Sequence, residues 1–214
     1  MKKSYLQAFD QEISIQKGTD ALIGIDEAGR GPLAGPVVAC ACYIPSAVAS
    51  YFEDVNDSKK LTHKKREEIM QRFNRLGVLY GIGFASAKEI DRLNILQATF
   101  LAMRRACIKF LSIPNAFALI DGPYPAKELT LKQMPVVDGD AKSLSIAAAS
   151  IIAKETRDKY MSVLDKLYPG YGFDGHKGYG TAQHLAALRQ KGPCPQHRRS
   201  FGPVQKLCKP VLFP

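Results

Sequence analysis

The stretch Leu22–Ala39 constrains the fold more than any other. Leu22-Ile23-Gly24-Ile25 is a short apolar run that ends on two carboxylates, Asp26 and Glu27. Gly29-Arg30-Gly31 follows, and then a second apolar run, Val37–Ile44. Apolar runs of this length bounded by turn residues read as buried strands. Acids at the end of a buried strand are costly unless a cation meets them. The glycines let the backbone turn tightly and approach a ligand closely, and Arg30 brings a fixed positive charge. Acids for a metal beside backbone amides for a phosphate suit a nuclease. A solvated acidic turn between two strands is the other reading this stretch allows. A dinucleotide site is disfavoured: it needs a helix N-terminus after the glycines, and Pro36–Ile44 reads as a strand.

Charge extends the argument. Thirty Lys and Arg against twenty Asp and Glu in 214 residues give a net charge of +10, which favours a polyanionic partner. A nucleic-acid enzyme needs such a surface for the backbone and an acidic pocket for the chemistry. The length fits one domain, 1–214, with a C-terminal appendage from about residue 168. No apolar run is long enough to span a bilayer, and Lys2-Lys3 leads into no signal-like segment, so no membrane association is expected. Five scattered cysteines without a CxxC pair suit reduced thiols and a cytoplasmic protein. Cys194, His197 and Cys208 match no standard zinc spacing.

Along the chain, residues 1–20 read as a weakly patterned helix, and Pro45–Asn56 as a connection. Asp57-Ser58-Lys59-Lys60 leads into a helix over Thr62–Leu76 with Thr62 as its cap. Lys59, Lys60, Lys64, Lys65 and Arg66 form the densest basic patch, a candidate phosphate contact. Gly77–Phe84 reads as a third strand, and Ala87–Leu93 and Ile95–Phe110 as helices. Ala116–Ile120 is a fourth strand ending on Asp121-Gly122-Pro123, which repeats the placement of Asp26. Binding sites collect at the carboxyl ends of such strands, although an Asp before Gly-Pro also suits a plain turn. Met134–Val137 is a short strand entering Asp138-Gly139-Asp140. A long helix then covers Leu144–Leu167, which Asp140 could cap. Asp158, mid-helix, could simply be solvated.

The C-terminal part differs in character. Tyr168–Gly180 is a glycine-rich aromatic loop with His176-Lys177 and Tyr179, suited to meeting sugar and base. Thr181–Lys191 reads as a capped helix, and Pro193–Pro214 as an extended basic tail.

Taken together, these motifs resemble ribonuclease HII, the bacterial type 2 ribonuclease H. The resemblance rests on Gly24–Val37, Asp57-Ser58-Lys59-Lys60-Leu61, Leu119-Ile120-Asp121-Gly122, and Gly139–Ser143 running into Ile146–Lys154. Arg157-Asp158, His176–Tyr179 and His197-Arg198-Arg199-Ser200-Phe201 complete it. It implies an α/β fold, a ribonuclease H-like mixed sheet flanked by helices with a small helical C-terminal part. It implies a catalytic and metal-binding set of Asp26, Glu27, Asp121 and Asp140, binding Mg2+ or Mn2+, with two ions taking part. Asp138 stands where the family is more often basic, so Asp140 is assigned to the site. It also implies that Gly29, Arg30, Gly31 and Tyr179 sense a ribonucleotide 2′-hydroxyl, and that Ser58, Lys59, Lys60 and Lys177 contact substrate. The expected partners are RNA–DNA hybrids and ribonucleotide-containing duplex DNA, cut by a monomer. The Gly-Arg-Gly turn favours type 2 over type 3 enzymes. A basic binding module and a DNA resolvase on the same fold are the rival classes. A binding module needs no four acids at strand and helix ends, and a resolvase needs no hydroxyl sensor.

Overall fold

A computed structural model describes residues 5–55 and 61–208. Five strands form one mixed sheet: β1 (Leu22–Ala28), β2 (Val37–Tyr43), β3 (Leu79–Ala85), β4 (Phe117–Asp121) and β5 (Lys132–Val136). Their order is β3-β2-β1-β4-β5. β1 pairs antiparallel with β2 and β2 with β3, while β4 lies parallel to β1 and β5 parallel to β4. Helices α1 (Tyr5–Lys17), α2 (His63–Arg75), α3 (Ala87–Leu93), α4 (Ile95–Cys107) and α5 (Leu144–Leu167) cover the sheet. Three shorter helices, α6 (Phe173–His176), α7 (Ala182–Lys191) and α8 (Gly202–Cys208), form the C-terminal part. This is the expected mixed sheet flanked by helices. Among the described residues, no helix is long and apolar enough to cross a membrane.

Both faces of the sheet are covered, which is why β1 and β2 are apolar at nearly every position. Ile23, Ile25, Val37, Ala39 and Ala41 pack with Phe100, Met103 and Cys107 of α4 on one face. Cys40 and Cys42 point the other way, toward Ala147, Ala148 and Ile151 of α5 and Ile69 and Phe73 of α2. Contact is closest where glycines replace side chains. A Cβ on Gly24 would enter the backbone of α5 at Ser145, and Cβ atoms on Gly81 and Gly83 would enter the carbonyls of Ala106 and Ala102 of α4. The alanine run Ala147–Ala149 keeps the facing side of α5 equally small.

Helix signals in the sequence hold locally. Thr62, Ser143 and Thr181 each accept a hydrogen bond from the amide three residues on and cap α2, α5 and α7. Ser143 caps α5, and Asp140 lies instead in the 3-10 turn Gly139–Ala141 just before it. Ser86 adds a capping box with Glu89 at the start of α3. Asp10 of α1 accepts from the Ser145 amide at 2.8 Å, tying α1 to the start of α5. The predicted extended tail is corrected: Gly202–Cys208 is helical, because Val204 is drawn into a small apolar cluster with Leu33 and Leu188. The aromatic loop likewise contains the one-turn helix α6, entered at Gly172 and left at Lys177 in left-handed conformations.

Gly24→Ala should therefore cost at least about 3 kcal/mol or prevent folding, since it overpacks backbone on backbone. Gly77→Ala, with a φ of +70° and open space around it, should cost about 1–2 kcal/mol from backbone strain alone. Urea unfolding of the two variants checks the difference. Equal costs would mean that α5 does not press on Gly24.

Candidate active site

The sheet delivers its acids at one end. β1 remains paired with β2 as far as Ala28, so Asp26 and Glu27 are still strand neighbours when they reach the site. Pleating sends Asp26 to the α5 side, where the Ser150 hydroxyl meets it, and Glu27 to the α4 side. Asp121 ends the parallel neighbour β4, on the same face as Leu119 and hence as Asp26. The turn that carries Asp140 is tied in by the Gly139 amide, which donates to Asp121 Oδ1 at 2.7 Å. Asp26 and Asp140 are buried, and Asp121 is half-buried.

Asp26 feels the charge of two of the other acids. Burial holds the Asp26 carboxyl well above the usual carboxylate range, and the charges of Glu27 and Asp121 push it further. The Ser150 hydroxyl and the Glu27 amide, 2.6 Å from Oδ1, only partly oppose this. The groups acting most strongly on Asp26 include two carboxylates and no cation. Glu27 turns outward and meets Arg30 Nη1 at 3.3 Å, an exposed pair of little energetic weight. An all-oxygen donor set with mutual repulsion is what a hard divalent cation fits.

The glycine turn sits beside the acids. Gly29 and Gly35 adopt φ of +93° and +82°. Leu33 N donates to Gly178 O at 2.8 Å, and Gly35 N to Gln196 O at 2.8 Å, which fixes the turn against the C-terminal part. A Cβ on Gly31 would meet the Tyr179 ring at 3.7 Å, so the turn and Tyr179 form one surface, with Tyr179 half exposed. Lys177 is drawn back: its ammonium lies 2.8 Å from Asp174 and 3.1 Å from the Ser162 hydroxyl. Ser58, Lys59 and Lys60 lie outside the described residues. Of the basic patch beyond them, Lys65 pairs with Asp54 at 2.9 Å and Arg66 with buried Glu155 at 2.5 Å.

Three features were not legible in the sequence. His63 lies between Glu67 and Glu155, and these three donors lie within 4.8 Å of one another. Its Nε2 faces Glu67 at 3.6 Å and its Nδ1 faces Glu155 at 3.2 Å, so the ring bridges two acids rather than converging with them on one point. Asp138, at a φ of +53°, turns the chain into the Asp140 segment. The other three histidines form a connected chain under Tyr179. His184 Nδ1 meets Tyr179 O at 2.9 Å, and His184 Nε2 meets His197 Nε2 at 3.0 Å. His197 Nδ1 accepts from the Cys194 amide at 3.0 Å, and His176 stacks on His184. Burial holds His184 below its ordinary value and His197 down at about 4, so these two rings stay neutral. Sequence spacing could not show this chain, because the rings meet only through the fold.

Comparison with known proteins gives the family. The family model described as Ribonuclease HII matches residues 23–204. The chain belongs to the ribonuclease HII family. A relative named Ribonuclease HII from Syntrophotalea carbinolica is 50% identical over 202 residues, covering 92% of each protein. The ribonuclease H2 structure from Pyrococcus horikoshii OT3 is similar with a TM-score of 0.68 and 25% identity, covering 87% of this chain and 96% of that one. The structure of Bst-RNase HIII in complex with Mn2+ shares the fold, with a TM-score of 0.67 at 20% identity over 89% of this chain and 71% of that one. The chain is thus an endoribonuclease of the ribonuclease H class, a hydrolase.

A pH prediction follows from Asp26. Its folded value is raised above the ordinary 3.8, so the folded state holds a proton the unfolded chain would release. Ionised Asp26 therefore destabilises the fold progressively as pH rises from 3.8 through its raised value. Asp26→Asn is expected to be more stable than the parent at pH 7 in EDTA, with the gap closing as pH falls toward 3.8. Urea midpoints across that range check it; a less stable Asp26→Asn at pH 7 would refute the repulsion.

Proposed function

We propose that Asp26, Glu27, Asp121 and Asp140 are the catalytic carboxylates and hold two divalent cations, Mg2+ or Mn2+. On this reading the enzyme hydrolyses the RNA strand of RNA–DNA hybrids. It also incises duplex DNA at embedded ribonucleotides, leaving 3′-hydroxyl and 5′-phosphate ends. The observation that carries the reading is the delivery of Asp26, Glu27 and Asp121 to the same end of two paired strands, with the turn that holds Asp140 tied to Asp121 at 2.7 Å, beside a glycine turn in contact with Tyr179. The Mn2+ complex of Bst-RNase HIII supports the choice of metal by likeness of fold.

Bound metal would supply the charge that stabilises the attacking water and the leaving 3′-oxygen around an anionic phosphate. The chain's own groups orient the ligands. Ser150 and the Glu27 amide hold the Asp26 carboxylate in one orientation, and the Gly139 amide does the same for Asp121. Orientation fixed before substrate arrives removes a reorganisation cost from the transition state. The Tyr179 ring, with the Gly29–Gly31 backbone beside it, offers a face for the sugar whose 2′-hydroxyl marks the cleavage point. The net charge of +10 supports binding of the flanking backbone. The part from about residue 168 onward is read as the substrate-binding appendage, and the whole as a cytoplasmic monomer with no membrane role.

The test is cleavage of a DNA duplex carrying one ribonucleotide against the same duplex without it, with Mg2+, Mn2+ or EDTA. A metal-dependent nick on the 5′ side of the ribonucleotide, absent from the all-DNA control, is expected. Equal cleavage of both duplexes would remove the hydroxyl sensor. Binding without cleavage would point to a binding module. Asp121→Asn should lower kcat by about 100-fold or more with binding retained, consistent with loss of a group acting on the reacting phosphate. Tyr179→Ala should erase most of the preference for the ribonucleotide-containing duplex.

A further inference from the structure

Two sequence motifs are not used by the site as described: Arg157-Asp158, and Arg198 within His197–Phe201. Arg157 and Arg198 are buried, at 2% and 0% exposure, the largest fully buried side chains described. Buried arginines usually sit against a carboxylate, since desolvation otherwise dominates. Among the described residues, neither makes an ion pair. Asp158 and Asp91 act on them only at longer range.

Both guanidinium groups instead direct their donors to carbonyls of one loop. Arg198 donates to Gly29 O at 2.6 Å, Arg30 O at 2.8 Å and Gly35 O at 3.0 Å. Arg157 donates to Pro36 O at 3.1 Å and Ala34 O at 3.2 Å. Gly29 is pressed against Arg157 so closely that a Cβ there would enter the guanidinium. Arg198 is itself held in place: its guanidinium lies over the Phe201 ring at 5.1 Å, and Asp91 accepts from the next two amides, Arg199 and Ser200.

The planarity of the peptide bond turns these contacts into a prediction of what the loop presents. In a trans peptide the carbonyl and the next residue's N–H point in opposite directions. With the Gly29 and Arg30 carbonyls turned inward to Arg198, the amides of Arg30 and Gly31 must turn outward. Both residues are exposed at that point, next to Tyr179. Successive outward amides make an anion-binding concavity. The two arginine charges lie directly beneath it, shielded from water.

We propose that Arg157 and Arg198 are positioning residues that hold the Gly29–Pro36 turn by its inward carbonyls, so that the Arg30 and Gly31 amides bind a substrate phosphate beside the ribonucleotide. Their buried charge strengthens that phosphate site without touching it. This rests on the functional reading above and adds to it the source of the turn's shape and field. A side chain that only glued the C-terminal part to the sheet would need neither the convergence on one loop nor the absence of a carboxylate partner.

The experiment compares the wild-type chain with Arg198→Lys, Arg198→Met and Arg157→Lys on the single-ribonucleotide duplex, measuring kcat and KM separately. Binding of the same duplex in EDTA is followed by fluorescence anisotropy over a salt series, and melting temperatures give the folded fraction. Arg198→Lys keeps the charge but loses the three-carbonyl fork; it should raise KM roughly tenfold with kcat changed far less. Arg198→Met should in addition flatten the dependence of log affinity on log salt by about one phosphate contact. Where a buried substitution blocks folding, Gly31→Pro removes one outward amide, leaves both arginines intact, and should raise KM in the same way. Folded variants with wild-type KM, salt slope and ribonucleotide preference would overturn the proposal, whatever their melting temperature. Absence of cleavage by the wild-type chain would instead count against the functional reading, while the anisotropy would still decide whether the turn binds phosphate.

Discussion

Helix α5 lies on the bare backbone of Gly24, and much of the molecule depends on that approach. Only a residue without a Cβ lets the start of the helix reach the middle of β1. Once α5 is seated there, residues along it reach one part of the molecule after another. Ser145 receives α1 through Asp10. Ser150 meets Asp26, Glu155 binds Arg66 of α2, Arg157 holds the glycine turn, and Met161 fills the space under Gly35 and Gly178. The long helix therefore sets the distance between the acids and the turn, and small residues on its sheet side are the condition for that spacing.

Charge of both signs is buried at the carboxyl end of the sheet, and the two signs are kept apart. Glu27 and Asp121 repel Asp26, and Arg157 and Arg198 are satisfied by carbonyls rather than by those acids. Direct pairing of the buried arginines with Asp26 would lower the energy of the empty site and leave less for a metal or a phosphate to neutralise. The structure keeps Asp26 and the arginines separate and positioned, consistent with an enzyme whose ligands complete its electrostatics. The neutral pair His184 and His197 fits the same scheme, because it fixes the backbone of Tyr179 without adding charge next to the turn.

Much of this was legible residue by residue. Alternating and continuous apolar runs located all five strands, and Thr62 and Thr181 announced their helices. The acids at strand ends stood out because carboxylates are costly there. Several details were not legible. Asp140 offered itself as a helix cap, and Ser143, three residues later, takes that role. Lys177 and Lys65 read as candidate contacts for substrate and phosphate, yet each has a local carboxylate within reach. The segment Gly202–Cys208 carries too little periodicity to announce a helix, and folds as one because Val204 has a pocket to fill.

Residue order alone was enough for the five strands, the main helices and the family resemblance, which in turn supplied the set of four candidate acids. The strands and helices follow from local pattern, and Asp26, Glu27 and Asp121 stood out as residue types that are expensive to misplace. The use made of the arginines emerged only in the packed fold. Arg157 and Arg198 lie 121 to 169 positions from the carbonyls they hold, and nothing local to either reveals a shared target. Hydrogen bonds over such separations exist only after α5 has packed on Gly24 and the C-terminal part has closed over the turn. The outward direction of the Arg30 and Gly31 amides is a consequence of that closure, fixed by the planarity of two peptide bonds.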